Sequence, residues 1–294
     1  MPADIRNKPT IDHSDVLALN FINTSTPYIL RKHFRQGLRS HIMEILDPTD
    51  VQKEHTGIVD DGVRWFPRAQ PVRMFRIFRS RLTSLDRALK EIGRVKLVER
   101  YLAPDFMATS TECIVDYRTS DGYDLLLCGF QEVVIGEILD PWTLLDTEQL
   151  LPALYEMICG QGSGATVSQE QWIETVRQRA AMFVEQIKRM IVEAEHIPDL
   201  AGAGNLFITG CGDIRLVDIN NISPVFFDST IHPDEKGYPV CDKSIEALSL
   251  IERKIFDKPV DMDEDIYRFF LNPTRCSAVK ENEARFWKAN SQRS

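Results

Sequence analysis

The feature that most constrains this chain is a long amphipathic stretch from Ser168 to Ala194. Ser168 with Gln171 three residues later is a capping-box pair, the signature of a helix start. Trp172, Val176, Ala180, Phe183/Val184, Ile187, Met190/Ile191 and Ala194 then recur at helical spacing and define one apolar face. The pattern ends ahead of Pro198, because a residue before proline is pushed out of helical conformation. A face of this length predicts a buried helix that delivers the chain into the segment that follows.

That segment is His196–Ser223, HIPDLAGAGNLFITGCGDIRLVDINNIS. Two short apolar runs, Asn205–Thr209 and Ile214–Ile219, flank a Gly-Cys-Gly-Asp turn at Gly210–Asp213, which predicts a β-hairpin. A hairpin brings its open ends together, so Asn205 and Asp218 meet across the mouth. Asp199 lies close upstream and Asn220 just beyond. Amide and carboxylate oxygens in one place suit a hard divalent cation. Magnesium takes one or two protein carboxylates and fills its remaining positions with water and phosphate oxygens. The competing reading is an ordinary surface hairpin with polar ends.

Length and composition set the class. A chain of 294 residues has room for one two-lobed domain or two modest ones, and its 43% apolar and 27% charged residues are those of a soluble globular protein. The net charge of −9 disfavours nucleic acid and anionic membrane surfaces, so neither is an expected partner. No apolar run approaches the roughly 20 residues that span a bilayer, and the amino terminus is too polar for a signal-peptide core. The six cysteines (Cys113, Cys128, Cys159, Cys211, Cys241 and Cys276) are scattered without a Cys-x-x-Cys pair, which fits reduced thiols in a cytoplasmic protein.

Along the chain, Val16–Ile22 reads as a strand or short helix, and Tyr28–Leu46 as a helix bearing the basic residues Arg31, Lys32, Arg35 and Arg39. Residues 57–66 read as a hairpin around Asp60-Asp61-Gly62, followed by a strand at Pro71–Phe78. Alternation puts Val72, Met74, Arg76 and Phe78 on one side of that strand, so Arg76 needs a counter-charge or a route to solvent. Ser84–Leu102 is a strong amphipathic helix, on which Glu91 and Glu99 are placed to pair with Arg76. A strand pair, Ala108–Tyr117 and Tyr123–Val134, leaves through Gln131-Glu132-Val133-Val134 towards Gly136. Thr147–Cys159 is helical, and Gly160–Gly164 reads as a flexible connection. Asp242–Phe256 is a helix with Asp242 as a natural N-cap, Asp265–Leu271 is a short helix, and Lys280–Ser294 is a charged, partly frayed tail.

Taken in order over residues 55–256, these pieces resemble the protein-kinase-like fold of protein kinases and aminoglycoside phosphotransferases. The resemblance rests on a strand with a cation, a helix with Glu, a strand exit, a long helix, and Asn205 with Asp218 thirteen positions later. It implies an α+β, two-lobed protein. Residues 1–54 would be an amino-terminal extension, 55–134 a small antiparallel-sheet lobe with one long helix, 135–276 a mainly helical large lobe, and 277–294 a charged tail. It further implies ATP and Mg2+ as cofactors, with Asn205 and Asp218 on the metal and Asp199 as the catalytic base towards a hydroxyl of an unknown small-molecule or protein acceptor. Arg76, oriented by Glu91, would face the phosphates, and the backbone of Glu132 and Val134 would take the adenine edge at a hinge. Four features depart from the family's pattern. Asp199 precedes Asn205 by six positions where that pattern has five, the triplet is Asp218-Ile219-Asn220, an Arg stands for the family's Lys, and no Gly-x-Gly-x-x-Gly loop precedes it. These departures admit a catalytically inactive pseudokinase that binds without chemistry. The pair Asp218 and Asn220, two apart, is also similar to the metal strand of ATP-grasp ligases, a second family to which the chain has a resemblance.

Overall fold

Strand alternation organises the amino-terminal part of the chain, as seen in a computed structural model that describes residues 4–23, 25, 28–34, 39–159 and 167–291. Two units are resolved, Met1–Gly93 with Thr109–Val133, and Arg94–Ala108 with Val134–Ser294. The first contains α1 (His13–Leu17), β1 (Ile29–Lys32), β2 (Ser40–Leu46), α2 (Pro48–Thr56), β3 (Ile58–Asp60), β4 (Val63–Trp65), β5 (Pro71–Phe78), the start of α3 (Leu85–Leu102), β6 (Ser110–Thr119) and β7 (Gly122–Gln131). Five of these strands form an antiparallel sheet in the order β1-β2-β5-β7-β6.

One face of this sheet is apolar. Met43, Phe75, Ile77, Leu126, Cys128 and Tyr117 pack with Ile5, Ile11, Val16 and Leu19, so the amino-terminal segment covers that face. The Tyr117 hydroxyl accepts a hydrogen bond from the Ile5 amide at 3.0 Å. Asn20 bonds the outermost strand β6 twice, donating to the Asp116 carbonyl at 2.8 Å and accepting from the Arg118 amide at 2.9 Å. Polar backbone on an edge strand is thereby given partners.

The expected helix over Tyr28–Leu46 is instead the strands β1 and β2. Its apolar spacing matched a helical period over too short a window. Ser40–Leu46 is buried along most of its length, its polar Ser40, His41 and Glu44 included, which suits an inner strand paired on both sides. The sheet therefore draws two of its five strands from residues 1–54. Arg35 lies outside the described residues. The hairpin over 57–66 does form, with Ile58 opposite Trp65, but among the described residues it pairs with no strand of the five-stranded sheet.

The second unit holds the rest of α3, then β8 (Glu137–Ile138), α4 (Thr147–Cys159), α5 (Gln169–Ala194), β9 (His196–Pro198), β10 (Leu206–Ile208), β11 (Ile214–Leu216), β12 (Ile222–Pro224), α6 (Val240–Phe256), α7 (Asp265–Phe270) and α8 (Pro273–Ser291). Ser168 and Gln171 make both bonds of the capping box, and α5 ends where Glu195 turns left-handed at φ 54°. Its buried side chains Trp172, Val176, Phe183, Ile187, Met190 and Ile191 run through the unit's core. The expected hairpin is β10–β11, extended by β8 into a three-stranded sheet, and β9 pairs with β12. The Trp172 indole donates to the Gly210 carbonyl at 3.0 Å and ties α5 to the hairpin turn. Pro239, not Asp242, is the cap of α6. Asp242 lies in the first turn and pairs with Arg275 of α8 at 2.5 and 3.2 Å. The tail read as frayed is helical to Ser291. The Gly160–Gly164 connection lies outside the described residues. No helix among the described residues is long and apolar enough to cross a membrane.

Gly136 enters β8 directly against β10, where an added Cβ would overlap the Ile208 carbonyl oxygen. Gly136→Ala is expected to cost about 2–4 kcal/mol in urea unfolding. Gly93→Ala, whose added Cβ meets nothing within 4 Å on the helix α3, should instead gain up to about 1 kcal/mol.

Candidate functional site

The helix α5 and the pairing of β9 with β12 fix where Asp199 falls. With Pro198 opposite Ile222, Asp199 comes opposite Asn221. The Asp199 amide donates to the Asn221 carbonyl at 2.8 Å, and the Asn221 side-chain amide donates to Asp199 Oδ2 at 2.9 Å. Asp199 Oδ1 accepts from the amides of Ala201 and Gly202 at 3.0 and 3.1 Å, closing a tight turn. This turn is held from behind. Leu200 donates its amide to the buried Ser244 hydroxyl of α6 at 3.2 Å, and the Trp142 indole donates to the Ala201 carbonyl at 2.8 Å. The Lys243 ammonium sits 4.1 Å from the centre of the Trp142 ring.

Asn205 closes the hairpin mouth. Its side-chain nitrogen donates to the Asp199 carbonyl at 2.9 Å, and its own carbonyl accepts from the Val217 amide at 2.8 Å, one residue before Asp218. With the nitrogen so assigned, Oδ1 is the acceptor face of the amide. Gly202 leaves the room for this, since a Cβ there would overlap the Asn205 amide. Asp218 is half-buried, and its Oδ1 accepts from the Asn220 amide at 3.3 Å. The side-chain oxygen of Asn220 is buried and meets no hydrogen-bond donor among the described residues.

The two carboxylates feel each other. Asp199 is 8% exposed, and burial first, then the charge of Asp218, raises its carboxyl from 3.8 to about 6. Hydrogen bonds from Asn221, Ala201 and Gly202 oppose this rise without cancelling it. A cation beside Asp218 would relieve the repulsion. The donors are oxygen atoms of Asp218, Asn205 and Asn220, which fit Mg2+. Among the described residues no group of three or more His, Cys, Asp or Glu could hold a metal ion.

The structure brings Asp199, Asn205 and Asp218 together in the second unit. Arg76, Glu91 and Glu132 belong to the first unit, and Val134 begins the next stretch of the second. Arg76 is 2% exposed, and the carboxylate it meets is Glu112 on β6, at 3.2 Å, with the Ser110 hydroxyl at 3.0 Å. Gly129 of β7 lies between them in register, with the guanidinium and the Glu112 carboxylate both over it. Glu112 escapes a sequence reading because only strand register places it there. Glu99 pairs with Lys96 at 2.6 Å, and Glu91 is half-buried on α3. The amide of Glu132 donates to the Thr109 carbonyl at 2.9 Å, and its carboxylate accepts from the Thr109 amide and hydroxyl at 3.0 and 2.8 Å. Asn221, Ser244 and Trp142 also escape that reading. Only Asn221, in the run Asp218-Ile219-Asn220-Asn221, carries a local signal.

No family model and no curated protein sequence matches the chain. Among solved structures it is similar to a ROP18 kinase domain in complex with AMP-PNP and sucrose, at a TM-score of 0.35 and 10% identity, over 83% of this chain and 68% of that one.

Two measurements check the electrostatics. Glu112→Ala, which strands a buried guanidinium, is expected to cost about 3–5 kcal/mol, whereas Arg76→Met with Glu112→Leu should recover most of it. For Asp199, the folded state holds its proton more tightly than the unfolded state. Its contribution to stability is present below about pH 4 and lost as the pH rises through about 6. Between about pH 3.5 and 7.5, unfolding titrations should show wild type losing on the order of 3 kcal/mol relative to Asp199→Asn.

Proposed function

We propose that the Asp199–Asn221 cluster is a magnesium–nucleotide site of kinase-like character, serving phosphoryl transfer from ATP to a hydroxyl acceptor. The observation that carries this reading is the closure of the hairpin mouth by Asn205. It gathers two mutually repelling carboxylates and amide oxygens where, among the described residues, no third acidic ligand completes a metal site.

Asp218 and the Asn205 oxygen would hold the cation, with Asn220 as a further oxygen donor. Bound magnesium supplies charge neutralisation on the phosphate oxygens. Asp199, raised to about 6, is mostly ionised at neutral pH and close enough to it to accept a hydroxyl proton. Its loop is braced by Ser244, Trp142 and Asn221, so little reorganisation is needed when charge moves.

A second reading, binding without transfer, draws on two contacts. Both Asp199 oxygens already accept hydrogen bonds, and Arg76, the residue expected on the phosphates, is engaged with Glu112 and Ser110.

Thermal unfolding with Mg2+, ATP, or both separates these readings. For wild type, stabilisation of about 2.7 kcal/mol is expected at a hundredfold excess over Kd, only when both are present. Asp218→Ala should lose it and Asp199→Asn should keep it. ATP turnover should fall by about a hundredfold or more in Asp199→Asn if Asp199 is the base. Mg–ATP stabilisation without turnover in wild type would favour binding alone, unchanged turnover in Asp199→Asn would remove Asp199 as the base, and absence of any Mg–ATP stabilisation in wild type would overturn the site.

A further inference from the structure

The ribbon β3–β4 is strongly specified by its sequence and, among the described residues, is covered by nothing. Asp61 and Gly62 both have positive φ (46° and 76°), the geometry of a tight two-residue hairpin turn, and Asp-Gly is suited to it. At the foot of the ribbon, Gly57 has φ 75°, and a Cβ there would come within 2.6 Å of the Arg64 side chain. The root is fixed to the main sheet. Glu54 of α2 accepts from the Ala69 amide at 2.8 Å and from Arg31 at 2.9 Å, and Arg31 donates to the Ala69 carbonyl at 2.8 Å.

Every residue from Ile58 to Arg68 is exposed. Among them Val59, Trp65 and Phe66 are 61–62% exposed, and Ile58 and Val63 add to the same ribbon, with Ile58, Val63 and Trp65 on one face by register and Val59 on the other. Soluble monomers seldom leave so many large apolar side chains together in water. β3 and β4 bond only to each other among the described residues, so an open strand edge runs along an apolar arm.

We propose that this arm is a self-association surface that joins two copies of the chain through an antiparallel, two-fold contact. The charges support a second copy as the occupant. Asp60 and Asp61 lie at the tip, Arg64 lies one pair nearer the root, and Arg68, 61% exposed at its side chain and 3.6 Å from Glu44, lies just beyond the ribbon. Antiparallel apposition sets each acidic tip against the basic root of the other arm, twice over by symmetry. These four charges sum to zero, in a chain whose net charge is −9, so the arm is a surface on which two copies escape mutual repulsion. Because the root is rigid, association costs little ordering of the arm.

Sedimentation of the full chain over about 1–100 μM tests this, since dimers of ordinary affinity form in that range. A monomer–dimer equilibrium is expected for wild type. Trp65→Ser with Phe66→Ser should leave a monomer with unchanged thermal unfolding, because both side chains are exposed. Asp60→Lys with Asp61→Lys should be monomeric alone, as should Arg64→Glu with Arg68→Glu, and an equimolar mixture of the two proteins should dimerise. A wild type that stays monomeric throughout overturns the proposal and leaves the arm to a different protein. A dimer that persists in the Trp65/Phe66 variant, or a charge-swapped mixture that fails to associate, overturns it as well.

Discussion

Burial of the apolar face of α5 is the constraint on which the second unit depends. The helix contributes eight buried side chains, among them Trp172, Phe183 and Ile187, each worth roughly 1.5–3 kcal/mol of gross transfer free energy. This face sets the position of the chain as it leaves Glu195, and through Trp172 it also sets the turn of the β10–β11 hairpin. Both arms of the polar cluster are thus placed by one packed element. Polar geometry at Asp199 is a by-product of hydrophobic burial one turn away.

The cluster itself runs against the ordinary economy of folding. Asp199 is nearly excluded from water beside a second carboxylate, and three donors only partly compensate. Groups held in such disfavoured states are characteristic of sites that bind or react. Stiffness follows from the way the loop is braced: a hydroxyl from α6, an indole from the segment after β8, and an amide from the strand beyond the hairpin. Loss of any one loosens Asp199 without touching it covalently.

How much of this was readable beforehand depended on how local each signal was. The capping box, the helical face of α5, the hairpin mouth and the Asp60-Asp61-Gly62 turn are written in neighbouring residues, and they appear where expected. Tyr28–Leu46 misled because a handful of apolar residues fit two periods equally well, and tertiary pairing with β5 decided in favour of strand. Glu112 opposite Arg76 is set by register across β7, which no short window contains. The bracing residues Ser244 and Trp142 lie 44 and 59 positions from the atoms they hold, and so leave no sequence trace there.

The amino-terminal cover of the sheet has a consequence in time. Ile5 bonds Tyr117 across 112 positions, and Asn20 bonds Arg118 across 98. A ribosome that has released residues 5–20 must still make about a hundred more before their partners exist. Loop closure over such spans is slow compared with local pairing. Until then the apolar side of β2 and β5 is open to whatever is nearby. Residues 5–20 are thus made well before their partners and placed late, and the apolar side they cover is open to non-native contacts in the interval.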